Sequence, residues 1–160
     1  MRYRNNRSDH GGFTLIEAMV ATVIVATGGS ALMVALASGT TINANAREMT
    51  QATYLAQEVR EWTYRLPFSD PDGPDPQGFV DDIGNLTNVS YSPPLNGLGQ
   101  PMAGMADWTQ KITVTWRNSQ DLSQVVPSSV SDIARIQVDI VHSGKTVLTN
   151  FWFVSKRTAP

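Results

Sequence analysis

The chain has 160 residues, enough for one modest domain, and its formal net charge of −2 predicts no general attraction to nucleic acid. It contains no cysteine, which excludes disulfides, cysteine-ligated zinc and thiol catalysis. Its two histidines, His10 and His142, are too few for a histidine-rich metal site. The absence of disulfides leaves an extracytoplasmic location open.

A basic leader precedes a long apolar segment. Residues 1–12 carry Arg2, Arg4 and Arg7, and residues 13–37 contain Glu17 as their one ionisable group and no proline. A helix of about 20 apolar residues crosses a bilayer core, so residues 13–37 are predicted to span a membrane. By the positive-inside rule the leader stays in the cytoplasm and the C-terminal part lies outside.

Two ordinary explanations of this segment fall short. A secretory signal peptide has an apolar region of about 7–15 residues that ends at a small-residue cleavage site, and this apolar segment is longer. A plain membrane anchor explains the length and the arginines. It does not explain Glu17, because a carboxylate in hydrocarbon costs several kcal/mol and normally has a partner or a role.

The sequence GGFTLIEAMVA resembles the N-terminal signature of type IV prepilins and type II secretion pseudopilins. The resemblance implies that a prepilin peptidase cuts between Gly12 and Phe13 and methylates the new amine of Phe13. It also implies that Glu17 pairs with the N-terminal amine of a neighbouring subunit during assembly, which offsets the burial of both charges. Two features depart from the common pattern: His10-Gly11 precedes Gly12 where Lys or Arg is frequent, and Gly28-Gly29 replaces a mid-helix proline as a flexible or closely packed point.

Residues 38–66 continue the helix with a different pattern. Apolar or small residues recur in steps of three and four and mark one face of an amphipathic helix. These are Ile42, Ala46, Met49, Ala52, Ala56, Val59, Trp62 and Leu66, with Tyr54 and Leu55 widening the stripe. Pro67 predicts that the helix ends near Leu66. The stripe is rich in alanine for a coiled coil, so we expect it to pack under a small sheet.

Residues 67–107 hold seven of the nine prolines and are predicted to be mostly loop. Five aspartates raise a calcium site as an alternative to simple turns, namely Asp70, Asp72, Asp75, Asp81 and Asp82. They lack the spacing of an EF-hand, and Asp-Pro and Asp-Gly pairs are good turn formers, which favours solvated turns. The segments TYLAQEVREW and FVDDIGNL also resemble parts of minor pilins and pseudopilins.

Three later segments alternate apolar and polar residues, as strands do. They are Gln110–Asn118, Ala134–His142 and Thr146–Ser155, and Ser143-Gly144-Lys145 predicts a tight hairpin between the last two. The predicted fold is therefore α+β and pilin-like: a long N-terminal helix, transmembrane in its first half, that packs its second half on an antiparallel sheet of three or four strands. We expect the strand aromatics Trp108, Trp116, Phe151 and Trp152 to pack in the core or at a subunit interface.

Together these patterns predict a leader at 1–12, a membrane or filament-core helix at 13–37, an amphipathic helix at 38–66 and a loop-rich β-sheet head at 67–160. No catalytic motif appears, and His142 is expected to be a surface or edge-strand residue, so the prediction is a non-enzyme without cofactors. Residues 13–160 hold nine basic and 13 acidic residues, a net charge of −4, so no nucleic-acid partner is expected.

The resemblance implies a structural subunit, a minor one, of a type IV pilus or a type II secretion pseudopilus. Its expected partners are the prepilin peptidase and methyltransferase and other pilin or pseudopilin subunits. Its expected location is the inner membrane as a single-pass protein with a cytoplasmic N-terminus, and then the filament. The alternative is a membrane-tethered adhesin or DNA-uptake module that contacts its ligand through residues 67–107.

Overall fold

A computed structural model describes residues 14–71, 73, 76 and 79–156. The chain divides into two compact units, Met1–Asn45 and Ala46–Pro160. In the first unit, the described residues form one helical segment. The second unit contains the rest of that helix and a sheet. The four-part division predicted from the sequence uses different boundaries and remains a prediction.

Helix α1 runs from Leu15 to Arg65. Its interior contains no proline, and it ends one residue before the predicted Leu66 because Pro67 disfavours a helical residue directly before it. Gly28 and Gly29 both lie inside the helix, and a Cβ built on either glycine has no heavy atom within 4 Å. Packing within the described chain therefore does not require glycine at these two positions.

The sheet has four antiparallel strands in the order β1-β2-β3-β4, and they are β1 Val89–Tyr91, β2 Trp108–Trp116, β3 Ile133–His142 and β4 Lys145–Ser155. The three strands expected from alternation are confirmed to within two residues at each end. Strand β1 was not predicted individually. It pairs only with β2, which fits a short edge strand in a proline-rich region.

The hairpin between β3 and β4 has a two-residue loop, Ser143 and Gly144, because His142 pairs directly with Lys145. Both loop residues have positive φ angles, 49° for Ser143 and 82° for Gly144. Two consecutive positive φ angles are the signature of the type I′ turn, whose twist matches that of a hairpin. The predicted tight turn is confirmed.

The core lies between the C-terminal part of α1 and one face of the sheet. The helix contributes Ala52, Leu55, Ala56, Val59 and Trp62, and strands β2 and β3 contribute alternate residues such as Ile112, Val114, Ile136, Val138 and Ile140. The prediction that the stripe covers the sheet is therefore confirmed from Ala52 onwards, and Leu66 is partly buried against the same core.

Four members of the predicted stripe are exposed, which corrects that part of the prediction. Ile42 is 67% exposed, Met49 45% and Tyr54 44%, and Ala46 is also exposed. The helical period continues N-terminal to Ala52, but Ile42, Ala46 and Met49 do not join the core of the described chain, and Tyr54 lies beside the buried face. Periodicity identifies a face of a helix and cannot tell where the surface that covers it ends.

A buried glutamine connects helix, loop and sheet. Gln110 is fully buried, and its amide donates to the carbonyl oxygens of Leu55 (3.1 Å) and Leu95 (3.0 Å). Its Oε1 accepts the backbone N–H of Leu95 at 2.8 Å. Three hydrogen bonds offset the cost of burying this amide, so Gln110 fixes the 94–102 loop between α1 and β2.

Candidate functional site

The N-terminal part of α1 is apolar and open along its whole described length. Every side chain from Thr14 to Ser38 is exposed, including Leu15, Ile16, Val23, Val25 and Met33 at 60–80%. The helix is long and apolar enough to cross a membrane. So much exposed apolar surface is unfavourable in water and favours insertion in lipid or packing against other helices.

Glu17 is the only ionisable group between Thr14 and Ala46. Its Oε2 accepts the backbone N–H of Thr14 at 2.8 Å and the Thr14 hydroxyl at 3.0 Å. The Thr14 Oγ1 in turn accepts the backbone N–H of Glu17 at 3.3 Å. This is a capping box, in which the N-cap threonine and the glutamate three residues later satisfy each other's free N–H groups.

Thr14 is the residue that the sequence analysis missed at this site. The signal was present, because a threonine or serine followed three residues later by glutamate before an apolar run predicts a capping box. The capping box holds the carboxylate of Glu17 at the first turn of α1, where the partial positive charge of the helix N-terminus favours an anion. Glu17 therefore lies at the end of the helix that the predicted cut would make the new N-terminus.

The other polar groups of this segment are satisfied within the helix itself. Hydroxyls in it donate to carbonyl oxygens three or four residues earlier, at 2.8–3.1 Å, and these are Thr22, Thr27, Ser30, Ser38, Thr40 and Thr41. Such internal hydrogen bonds allow serine and threonine to lie in an apolar environment without an external partner. Glu17 is the one charged group in the segment, and its described partners are the N–H and the hydroxyl of Thr14.

The predicted cleavage and methylation positions, Gly12 and Phe13, lie outside the described residues. The processing prediction therefore stays a prediction about the sequence. The assembly role of Glu17 also stays a prediction, although its position in the first turn of α1 is now described.

Two of the five aspartates accept backbone N–H groups in turns. Asp70 Oδ1 accepts the N–H of Gly73 at 2.7 Å, and Asp82 Oδ1 accepts the N–H groups of Gly84 and Asn85. Asp72 and Asp75 lie outside the described residues. Among the residues that are described, Asp81 included, no three His, Asp or Glu side chains are placed to hold a metal ion together. The contacts of Asp70 and Asp82 are those of turns, and the calcium alternative stays a prediction.

His142 lies at the end of β3 and contacts α1 at the partly exposed margin of the sheet. Its Nδ1 is 2.7 Å from Oε1 of Glu48, and its ring stacks on Trp108 at a centroid distance of 4.2 Å. Both partners in the His142–Glu48 pair are about one-third exposed. The pair fastens α1 to the sheet near Ala46, which is a structural role that the sequence did not indicate.

The fold and the apolar segment define a class: an α+β, pilin-like arrangement in which one long apolar N-terminal helix packs on a four-stranded antiparallel sheet. The family described as the prokaryotic N-terminal methylation motif matches residues 7–33. This match includes Gly12, Phe13, Thr14 and Glu17, and it indicates a type IV pilin-like prepilin that prepilin peptidase processes. No curated protein and no solved structure matches the chain. The motif covers 27 of the 160 residues, so it carries no information about the sheet domain.

Proposed function

We propose that this protein is a structural subunit of an envelope filament, a minor subunit of a type IV pilus or a type II secretion pseudopilus. The observation that carries the proposal is one lone carboxylate at the start of an otherwise apolar, uncovered helix that bears the methylation motif. An uncovered apolar helix needs a lipid or protein environment, and its one carboxylate needs a cation there. The methylated amine of a neighbouring subunit's Phe13 supplies that cation.

In this proposal, residues 1–12 are a leader that is cut off on the cytoplasmic face of the inner membrane. Residues 13–37 first anchor the chain in that membrane and then pack in the filament core. Residues 38–66 lead into the sheet domain, which lies outside. The exposed Ile42, Ala46 and Met49 extend the apolar surface beyond the membrane span and become helix contacts between subunits.

The processing step is tested by N-terminal mass spectrometry of the protein from the membranes of cells with an active prepilin peptidase. The expected mature chain begins at Phe13 and carries one methyl group. Gly12→Val is expected to leave the full precursor, because a branched side chain at the cut position blocks the peptidase. Gly11→Val is the matched control and is expected to be cut normally. An uncut wild-type chain would reject the proposal.

The assembly step is tested separately with Glu17→Gln, which keeps the shape of the side chain and removes its charge. This variant is expected to be cut and methylated but to be absent from sheared filaments, since the amine of the neighbouring subunit lacks its counter-charge. Glu61→Gln, an exposed position on the same helix, is the control and should assemble. Filament incorporation of Glu17→Gln at the wild-type level would contradict the role of Glu17.

A further inference from the structure

Strand β4 forms a long edge of the sheet. It runs over 11 residues, Lys145–Ser155, and pairs with β3 on one side. Within the described residues no strand pairs with its other side. An edge of this length presents a row of backbone hydrogen-bonding groups that another chain can use.

The direction of these backbone groups follows from two hydrogen bonds. The N–H of Lys156 donates to the carbonyl of Asp132 at 2.9 Å, so it points towards β3. The N–H of Phe151 donates instead to the side chain of Asn150 at 2.8 Å. Because antiparallel positions alternate, Phe151, Phe153 and Ser155 direct their N–H and C=O groups away from β3.

A groove lies beside the C-terminal end of this edge. Its volume is ≈ 580 Å³, and it lies between residues 153–156 on one side and 63–69, with Ile83, on the other. Leu66, Phe68 and Phe153 give it apolar walls. Among the described residues, the charged ones that line it are Arg65 and Lys156, and both are basic.

The outer face of the sheet beside the C-terminal half of the edge is aromatic and carries Arg135, whereas Asp139 lies further along, where it accepts the hydroxyl of Thr149. Phe151 and Phe153 are 51% and 41% exposed, and their rings meet edge to face at 6.0 Å. The guanidinium of Arg135 lies 4.2 Å from the centroid of the Phe151 ring. Side chains of an added strand would therefore meet two aromatic rings and a third cation on this face.

We propose that the free edge of β4 binds an extended, acidic segment of a partner protein by β-strand addition. The backbone of that segment pairs with Phe151, Phe153 and Ser155, and its carboxylates reach Arg65 and Lys156. None of these residues belongs to the segment that is proposed for filament assembly. A second copy of the chain fits the edge less well, because its own acidic stretch contains Pro71, Pro74 and Pro76, which cannot donate ladder hydrogen bonds.

The charge requirement is tested with the full mature chain in detergent and two fluorescent eight-residue peptides of alternating Val and Thr. One peptide carries two Glu substitutions and the other two Lys substitutions at the same positions. The Glu peptide is expected to bind about tenfold more tightly by fluorescence anisotropy, because reversing its two charges replaces attraction by repulsion. Arg65→Glu combined with Lys156→Glu should remove this preference, whereas Lys145→Glu, at the opposite end of β4, should keep it. Equal binding of the two peptides would overturn the proposal.

The backbone requirement is tested with matched variants at one position. Phe153→Pro removes an outward N–H and Phe153→Val keeps it, so the proline variant is expected to bind the Glu peptide about fivefold more weakly than the valine variant. Asn150→Ala frees the N–H of Phe151 and should strengthen binding severalfold.

A Glu peptide with alternate backbone amides N-methylated needs no change in the protein and should lose binding. Unchanged binding of that peptide would refute strand addition, and self-association of the mature chain that Arg65→Glu/Lys156→Glu abolishes would assign the edge to a second copy instead.

Discussion

The two parts of helix α1, before and after Asn45, differ in what covers them although the helix is continuous. From Thr14 to Ser38 every side chain is exposed, and from Ala52 to Thr63 six side chains are buried. The first part uses large apolar residues and one carboxylate, whereas the second buries mainly small residues around Leu55 and Trp62. The comparison teaches that one continuous helix can carry two different surfaces, one that packs on the sheet and one that stays exposed in the described chain.

The largest expected effect tests whether the second part holds the head together. Leu55→Ala should lower the free energy of unfolding of the head by about 2–5 kcal/mol, because Leu55 is fully buried in the core and the change leaves a cavity. Leu36→Ala, in the first part, removes the same atoms from a side chain that is 63% exposed. Denaturant unfolding in detergent, followed by tryptophan fluorescence, measures both. Equal losses of unfolding free energy in the two variants would contradict the difference between the two parts of the helix.

A smaller loss of unfolding free energy is expected from changing Gln110, the polar side chain that links the helix to the sheet. Gln110→Met keeps roughly the same volume but leaves the N–H of Leu95 and the carbonyl of Leu55 without their side-chain partner. We expect a loss of about 1–3 kcal/mol, the cost of leaving buried polar groups unsatisfied. The same denaturant titration measures it. Gln100→Met, on the exposed side of the 94–102 loop, serves as the control and should change the stability little.

The stability of the first turn of the helix should depend on its capping residue, Thr14, and not on the sheet. Thr14→Val removes the hydroxyl of the capping box and should weaken the first turn by about 1 kcal/mol. Hydrogen exchange at the amide of Glu17 should therefore quicken about fivefold in detergent, and the unfolding midpoint of the head should not change. Thr14→Ser keeps the hydroxyl and should exchange as the wild type does. A lower stability of the head in Thr14→Val would show that the two parts are coupled.

The smallest effect appears only at alkaline pH. Burial raises the pKa of Tyr91 above its ordinary value of 10.0, and its ring meets Trp62 of α1 edge to face at 5.7 Å. Because the folded protein favours the neutral phenol, this stabilisation is fully present below pH 10 and is lost as the pH rises through the folded-state pKa. The unfolding midpoint of the wild type should fall over this range more than that of Tyr91→Phe. Parallel pH profiles for the two proteins would refute the prediction.

Much of the fold follows from residue patterns that act locally. Pro67 sets the end of α1, alternation of apolar residues identifies β2, β3 and β4, and Ser143-Gly144 specifies the turn. Strand β1 has three residues and no room for an alternating pattern, so only its pairing with β2 defines it. The burial of Gln110 was readable in principle, because it is in phase with Ile112 and Val114 on β2.

The part of the candidate site that the sequence could predict is Glu17 with its capping residue. Glu17 is conspicuous because a carboxylate in an apolar run is costly, and its capping partner Thr14 was visible as a Thr-x-x-Glu pattern. The reach of the covering sheet could not be read from the helix, which is why Ile42, Ala46 and Met49 were expected to pack under it, whereas Tyr54 lies beside the buried face and not beyond its end. The contact of His142 with Glu48 joins positions 94 residues apart, and no local pattern encodes such a pair.

The hydroxyl groups of the first helical segment form their hydrogen bonds within the segment itself. Since Thr22, Thr27, Ser30 and Ser38 already bond to carbonyls of their own helix, they make the same bonds in lipid, in a detergent micelle or against another helix. Moving the segment from one apolar surrounding to another therefore need not break any of these side-chain hydrogen bonds. Glu17 is then the one charged side chain of the segment from Thr14 to Ser38 whose surroundings such a change would alter.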